Sequence, residues 1–128
     1  MLNLSFYTTL ILLSFNQLVS INKSNGLNIY LFDIAVVIFS FLGVVYFTVV
    51  KKSFKIPKNS FLFLIFSIFA LASLIFSFSA LDLSEKDSLI SAFYFFRFFS
   101  YLLAGIVVFN MVNQNLITKE KVFNAFIY

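Results

Sequence analysis

The sequence contains no cysteine and no histidine, and only 11% of its 128 residues are charged. Without cysteine, the chain forms no disulfide and binds no metal through a thiolate. Without histidine, it lacks the most common metal ligand and the most common general base. It also has no glycine-rich phosphate loop and no nucleophile elbow. We therefore predict no metal and no cofactor, and we assign no catalytic residue.

Apolar residues dominate what is present: 62% of the chain is hydrophobic, with 21 phenylalanines and a mean hydropathy of +1.03. A soluble domain is only about half apolar and about a quarter charged, so lipid must surround this chain. Backbone groups in hydrocarbon must be hydrogen-bonded within the protein, and the long continuous apolar stretches favour helices over barrel strands. The sequence predicts an all-α fold, a polytopic bundle of transmembrane helices.

Four apolar segments have about the ~20 residues that a helix needs to cross a membrane. They cover residues 4–21, 27–50, 61–81 and 88–112. The first is the weakest because Asn16 and Gln17 interrupt it; a signal peptide is the alternative, but the basic n-region and the small-residue cleavage site are missing. A fifth span begins at about residue 119 and stops in its second turn. We therefore expect the N-terminal fragment of a longer membrane protein, whose remaining helices would be partners of this one.

The lysines divide the loops into two groups. The loop between the second and third spans and the segment after the fourth span hold six of them: Lys51, Lys52, Lys55, Lys58, Lys119 and Lys121. The alternate loops hold only Lys23 and Lys86. By the positive-inside rule, the lysine-rich loops and the N-terminus face the cytoplasm. Because the basic residues cluster in these loops, the net charge of +4 does not indicate a nucleic-acid partner; membrane lipid is the expected one.

Arg97 lies in the apolar run YFFRFFSYLLAGIVVF, with no other charge between residues 88 and 115. A guanidinium stays charged at any depth, and its insertion costs about 2.5–3.5 kcal/mol unless another group compensates it. Helical spacing places Tyr94, three residues before, and Tyr101, four residues after, on the same face. An ionisable residue within a span is a functional-site hypothesis by default, so these three residues are candidates for substrate binding.

Asp33 is the only other charged residue inside a predicted span. It lies one or two turns below the outer end of the second span, in the same half of the membrane as Arg97. Two interpretations stay open. An Asp33–Arg97 ion pair could simply fix the second span against the fourth, or Arg97 could face an outward-opening cavity and bind an anionic substrate that Asp33 positions. The two are compatible, because an ion pair can open when a phosphate arrives.

Small residues recur along the third span at intervals of three or four, which places them on one helix face. Such residues let helix backbones approach closely within a membrane. Helix packing, rather than ligand binding, is therefore the expected role of this stripe, which consists of Ser67, Ala70, Ser73, Ser77 and Ala80.

The order of these features resembles the N-terminal part of the O-antigen ligase and O-antigen polymerase family of bacterial envelope glycosyltransferases. The resemblance covers about residues 1–113. It rests on the acidic residue near the outer start of the second span, in NIYLFDIAVVIFSFLGVV, on the basic loop that follows, and on the arginine among aromatic residues in FYFFRFFSYLLAGIVVF.

Members of that family are multi-pass inner-membrane enzymes of lipopolysaccharide and polysaccharide biosynthesis. They transfer or polymerise a polyprenyl-diphosphate-linked glycan on the outer face of the membrane, without a catalytic metal. The resemblance implies a bacterial inner (cytoplasmic) membrane location, with Arg97 and Asp33 near the donor diphosphate. It also implies that the catalytic loop lies C-terminal to these residues. The alternative is a small non-enzymatic four-span protein, such as a lipid-linked-sugar flippase subunit or a transporter; the interrupted fifth span argues against it.

Overall fold

A computed structural model describes residues 2–14, 20–22, 28–80 and 85–127 of the chain. This part is helical, as predicted, with one short antiparallel hairpin in which Ser20 pairs with Tyr30 and Asn22 with Asn28. A π-helical turn, Tyr46–Val50, continues the second helix. The elements in chain order are α1 (Leu2–Ser14), β1 (Ser20–Asn22), β2 (Asn28–Tyr30), α2 (Leu31–Val45), α3 (Ser60–Ala80), α4 (Glu85–Asn113) and α5 (Lys119–Ile127).

Three helical segments of the described chain are long and apolar enough to cross a membrane: Leu31–Val50, Ser60–Phe78 and Lys86–Asn113. They correspond to the second, third and fourth predicted spans and indicate a membrane protein. The second begins at Leu31 instead of residue 27, because β2 occupies Asn28–Tyr30. Helix α5 begins at Lys119, where the fifth apolar segment was expected to start.

The first predicted span, residues 4–21, is not confirmed as a full span. Helix α1 has 13 residues, which is about 20 Å at 1.5 Å per residue and short of the ~30 Å hydrocarbon core. Residues 15–19 lie outside the described part, and the predicted end of the span is wrong, because Ser20–Asn22 forms β1. The polar pair Asn16–Gln17 in the sequence separates the apolar helix from this hairpin.

Helix α2 lies between α1 and α4 and packs against both. It approaches α4 closely at Gly43, where an added Cβ would lie 2.2 Å from Cγ1 of Val107. Near this point Ser40 Oγ donates a hydrogen bond to the backbone oxygen of Ser100 at 3.0 Å. Small and hydroxyl side chains hold helices together in lipid by close packing and hydrogen bonds. These residues make α2 and α4 the central pair of the fold.

The opposite end of the α2–α4 pair from Asp33 carries the connection to α3. Phe47 and Met111 are fully buried there, and so is Asn110. The Asn110 amide donates to the backbone oxygen of Lys55 at 2.7 Å and accepts from the backbone nitrogen of Lys55 at 2.9 Å. The connection between α2 and α3 is therefore fixed against α4.

Helix α3 lies at the edge of the bundle and packs against α4. The rings of Phe66 and Phe98 lie 5.8 Å apart at their centroids, and Ser67 is buried. Of the predicted packing stripe, Ser67 is buried and Ser73 is exposed among the described residues.

Candidate functional site

Asp33 and Arg97 meet between α2 and α4. The Nε atom of Arg97 lies 2.9 Å from Oδ1 of Asp33, and their side chains are 22% and 8% exposed. The predicted proximity of the two charges is therefore confirmed. Each charge alone would be costly in a membrane, and the pair offsets that cost because each supplies the opposite charge at contact distance.

The start of α2 orients the Asp33 carboxylate. Tyr30, just before the helix, has an extended backbone with φ −93° and ψ 145°. Its N–H donates to Oδ2 of Asp33 at 3.2 Å, as an acidic residue in the first turn does in a capping box. Oδ2 of Asp33 thus accepts a hydrogen bond from the backbone at the start of α2, and Oδ1 is available to side chains of α4.

Tyr101 completes the cluster from the next turn of α4. Its hydroxyl donates a hydrogen bond to Oδ1 of Asp33, and it accepts one from Nε of Arg97 at 3.1 Å. Residues four apart on a helix share a face, which explains why Arg97 and Tyr101 reach the same carboxylate. Three of the four residues proposed from the sequence, Asp33, Arg97 and Tyr101, therefore lie in one contact network.

Tyr30 also belongs to the cluster, although the sequence did not indicate it. The guanidinium carbon of Arg97 lies 5.1 Å from the centre of the Tyr30 ring and 5.6 Å from that of Tyr101. Both distances lie within the ~6 Å range of cation–π attraction. Its position three residues before Asp33 is the spacing of a capping box, but the usual signal there is serine or threonine.

Tyr94 does not join the cluster. Its side chain is 51% exposed, and its ring lies 6.1 Å from that of Phe93 on the same helix. Arg97 already pairs with the first turn of α2, so a residue one turn earlier on α4 lies beyond the start of that helix. Tyr94 was predicted on the helix face of Arg97, but its side chain is half-exposed.

An open cleft of about 560 Å³ lies beside the ion pair. Asp33, Arg97 and Tyr101 line its polar part. The rest is mainly apolar and is formed by side chains of both helices: Ile34, Val37, Ile38, Leu89, Phe93 and Phe96. The cleft therefore combines a fixed cation with a surface suited to hydrocarbon.

The guanidinium of Arg97 is held on one side only. Its hydrogen bond to Tyr101 and its shortest contact with Asp33 are both made by Nε. Within residues 2–14, 20–22, 28–80 and 85–127, no hydrogen bond is made by Nη1 or Nη2. Arginine has five N–H donors in a planar fork, so four of them remain for a ligand. Paired phosphate oxygens match that fork in two parallel hydrogen bonds.

No metal site accompanies the cluster: the described residues contain no group of three or more Asp, Glu, His or Cys side chains that could hold an ion. The chain matches no protein-family model, no curated protein and no solved structure.

Proposed function

We propose that this chain is the membrane part of a bacterial envelope glycosyltransferase that transfers or polymerises a polyprenyl-diphosphate-linked glycan on the outer face of the inner membrane. The observation that supports this most is the position of Arg97 in a mainly apolar cleft. A lipid-linked diphosphate has the same two parts, an anionic group and a long hydrocarbon chain.

In this proposal Arg97 binds the diphosphate through Nη1 and Nη2. Asp33 and Tyr101 hold Nε from behind, so that the fork keeps a fixed direction when the ligand arrives. The apolar side chains of α2 and α4 contact the first isoprene units. These residues bind and orient the donor, and no catalytic role is assigned to them.

The competing explanation is that the ion pair only fixes α2 against α4. Three variants of the full-length protein separate the two, with envelope glycan and protein abundance measured together. Arg97→Lys keeps the charge but loses the planar fork, so we expect normal abundance with impaired transfer. Arg97→Leu should abolish transfer even when expression is raised to the original level.

The double variant Asp33→Asn with Arg97→Leu removes both charges and tests the purely structural role. If the pair serves only to hold the helices, this variant should restore abundance and transfer together. We expect it to restore abundance alone, because it still lacks the cation. Full transfer by the double variant, or by a well-expressed Arg97→Leu protein, would contradict a substrate contact at Arg97.

We further propose four spans with the N-terminus in the cytoplasm. Asn3 at the start of α1 donates to the backbone oxygen of Leu116 at 3.5 Å, which supports a first helix that starts at the lysine-rich end of the bundle. Since the chain has no cysteine, single substitutions can be labelled in intact cells with a membrane-impermeant thiol reagent. We expect labelling at Lys86→Cys and none at Lys55→Cys; the reverse pattern would contradict this topology.

A further inference from the structure

The connection between the π-helical turn and α3, residues 51–59, is here called the lysine loop. Its four lysines, Lys51, Lys52, Lys55 and Lys58, are all exposed. The loop contains no acidic residue, so nothing within it neutralises these charges. It carries half of the eight lysines of the whole chain.

Side chains of α4 hold the backbone of the lysine loop. The buried amide of Asn110 makes two hydrogen bonds to the backbone of Lys55, at 2.7 and 2.9 Å. The amide of Gln114 donates a hydrogen bond to the hydroxyl of Ser53. The left-handed backbone of Lys52, with φ 48°, turns the chain into this position. The lysines therefore project from a backbone that is fixed at two points.

The loop lies close to the membrane boundary. It joins the end of one apolar span, Val50, to the start of the next, Ser60. The backbone of Lys55 is hydrogen-bonded to the side chain of Asn110. Asn110 lies three residues before the end of α4, which is about 4.5 Å along the helix axis. Ile56, next to Lys55, is 53% exposed. Apolar and basic side chains are thus adjacent at the depth where lipid chains meet headgroups.

We propose that the lysine loop is a binding surface for the headgroups of anionic phospholipids. The charges are complementary, and the loop lies where those phosphates lie. Because α4 already orders its backbone, little conformational entropy remains to be lost when several headgroups bind. The proposal concerns the opposite end of the bundle from Arg97 and stands or falls independently of the glycan transfer proposed above.

The test uses the purified full-length protein in a neutral detergent. Phosphatidylglycerol and phosphatidylcholine with identical acyl chains are added, and the bound lipids are counted by native mass spectrometry. We expect preferential retention of phosphatidylglycerol. The double variant Lys55→Gln with Lys58→Gln should weaken that retention by about fivefold for each lysine removed. Equal retention of the two lipids by the original chain would overturn the proposal.

A matched control removes the same charge from the same end of the bundle. Lys119→Gln with Lys121→Gln changes two exposed lysines of α5 and leaves the lysine loop intact. We expect a clearly smaller loss of phosphatidylglycerol than for the Lys55 and Lys58 pair. Equal losses would show a general effect of net charge and would contradict a site in the loop.

Two further measurements test the fixed backbone and the nature of the ligand. Gln114→Ala releases Ser53 without changing charge, so it should reduce lipid preference while the helical circular dichroism stays the same. An unchanged preference would contradict the role of the fixed backbone.

Inorganic phosphate should displace phosphatidylglycerol no better than chloride at equal ionic strength. Stronger displacement by phosphate would mark a site for the free anion and would overturn the lipid assignment.

Discussion

The spans that contain α2 and α3, Leu31–Val50 and Ser60–Phe78, are similar in length and both apolar, yet they are held very differently. In their most apolar stretches, 33% of the residues in the Leu31–Val50 span are buried within the protein, against 6% in Ser60–Phe78. Helix α2 contributes an aspartate, a serine and a glycine to its contact with α4. Helix α3 meets the same partner through Phe66 and Ser67.

The difference shows what holds helices together in lipid. Hydrocarbon solvates an exposed phenylalanine as well as a neighbouring helix does, so hydrophobicity alone does not drive association. Close backbone approach and polar contacts do, and α2 has both. The α2–α4 pair should therefore be sensitive to single substitutions, whereas the outer face of α3 should tolerate them.

The largest effect is expected for Arg97→Leu. It leaves the carboxylate of Asp33, which is 6% exposed, without its cation. Breaking a buried ion pair from one side costs about 3–5 kcal/mol. Unfolding in mixed micelles of increasing SDS content, followed by the loss of helical circular dichroism, should shift by a corresponding amount. The double variant with Asp33→Asn should recover most of this loss.

Tyr94→Phe is the control on the same helix. It removes a hydroxyl from a half-exposed side chain on the face that carries Arg97, without touching the cluster. We expect no change in unfolding. An Arg97→Leu chain that resists SDS as well as the original would show that the ion pair does not hold the two helices.

The second effect is steric, at Gly43→Ala. The new Cβ would lie 2.2 Å from Cγ1 of Val107, whose branched side chain is fully buried and stiff at χ1. Overpacking of this kind costs about 1–3 kcal/mol. Gly105→Ala is the matched control, because its Cβ would meet nothing within 4 Å; it should be neutral or slightly stabilising through helix propensity.

A rescue variant and the comparison with Gly105→Ala both test whether the loss at Gly43→Ala is steric. Adding Val107→Ala to Gly43→Ala should recover part of the loss, because the smaller side chain makes room for the new Cβ. If Gly43→Ala and Gly105→Ala behave alike in the same SDS unfolding measurement, then close approach at Gly43 is not what holds α2 to α4.

Residue types and helical spacing pointed to Asp33, Arg97, Tyr94 and Tyr101, and the structure brings all but Tyr94 together. Two isolated opposite charges in the same half of the membrane were expected to lie near each other, and intervals of three and four residues place Tyr94 and Tyr101 on the face of Arg97. Spacing along one helix does not show where the facing helix begins. That is why Tyr94 was included although it lies beyond the start of α2.

Other features depended on information that spacing does not contain. The small-residue stripe on α3 predicted packing along its whole length, but among the described residues Ser67 is buried and Ser73 is exposed. Asn110 is a single polar residue near a helix end, where solvent exposure is the ordinary expectation. Its burial follows from the lysine loop folding back onto α4, a long-range contact that no local pattern indicates.

The third-largest loss of stability is expected when a single hydroxyl group is removed from the contact between α2 and α4. Ser40→Ala removes the hydrogen bond to the Ser100 backbone oxygen, and such bonds between membrane helices contribute about 0.6 kcal/mol on average. Ser73→Ala on α3 is the matched control, because its side chain is exposed. We expect a small but resolved decrease in SDS resistance for the first and none for the second. Identical SDS unfolding curves for the two variants would show that the Ser40 hydroxyl does not stabilise the packing of α2 against α4.

The smallest effect is expected on α3, at Phe69→Leu. Phe69 is 71% exposed, so its ring contacts lipid in the folded bundle and also when α3 is separated from α4 within the membrane. Since its surroundings hardly change between the two states, the substitution should alter unfolding by no more than about 0.5 kcal/mol. SDS unfolding of this variant beside Phe39→Leu, which alters a side chain that is 2% exposed, checks the contrast on matched residue types. A loss at Phe69 as large as that at Phe39 would mean that the outer face of α3 is packed against protein, and the distinction between the two helices would fail.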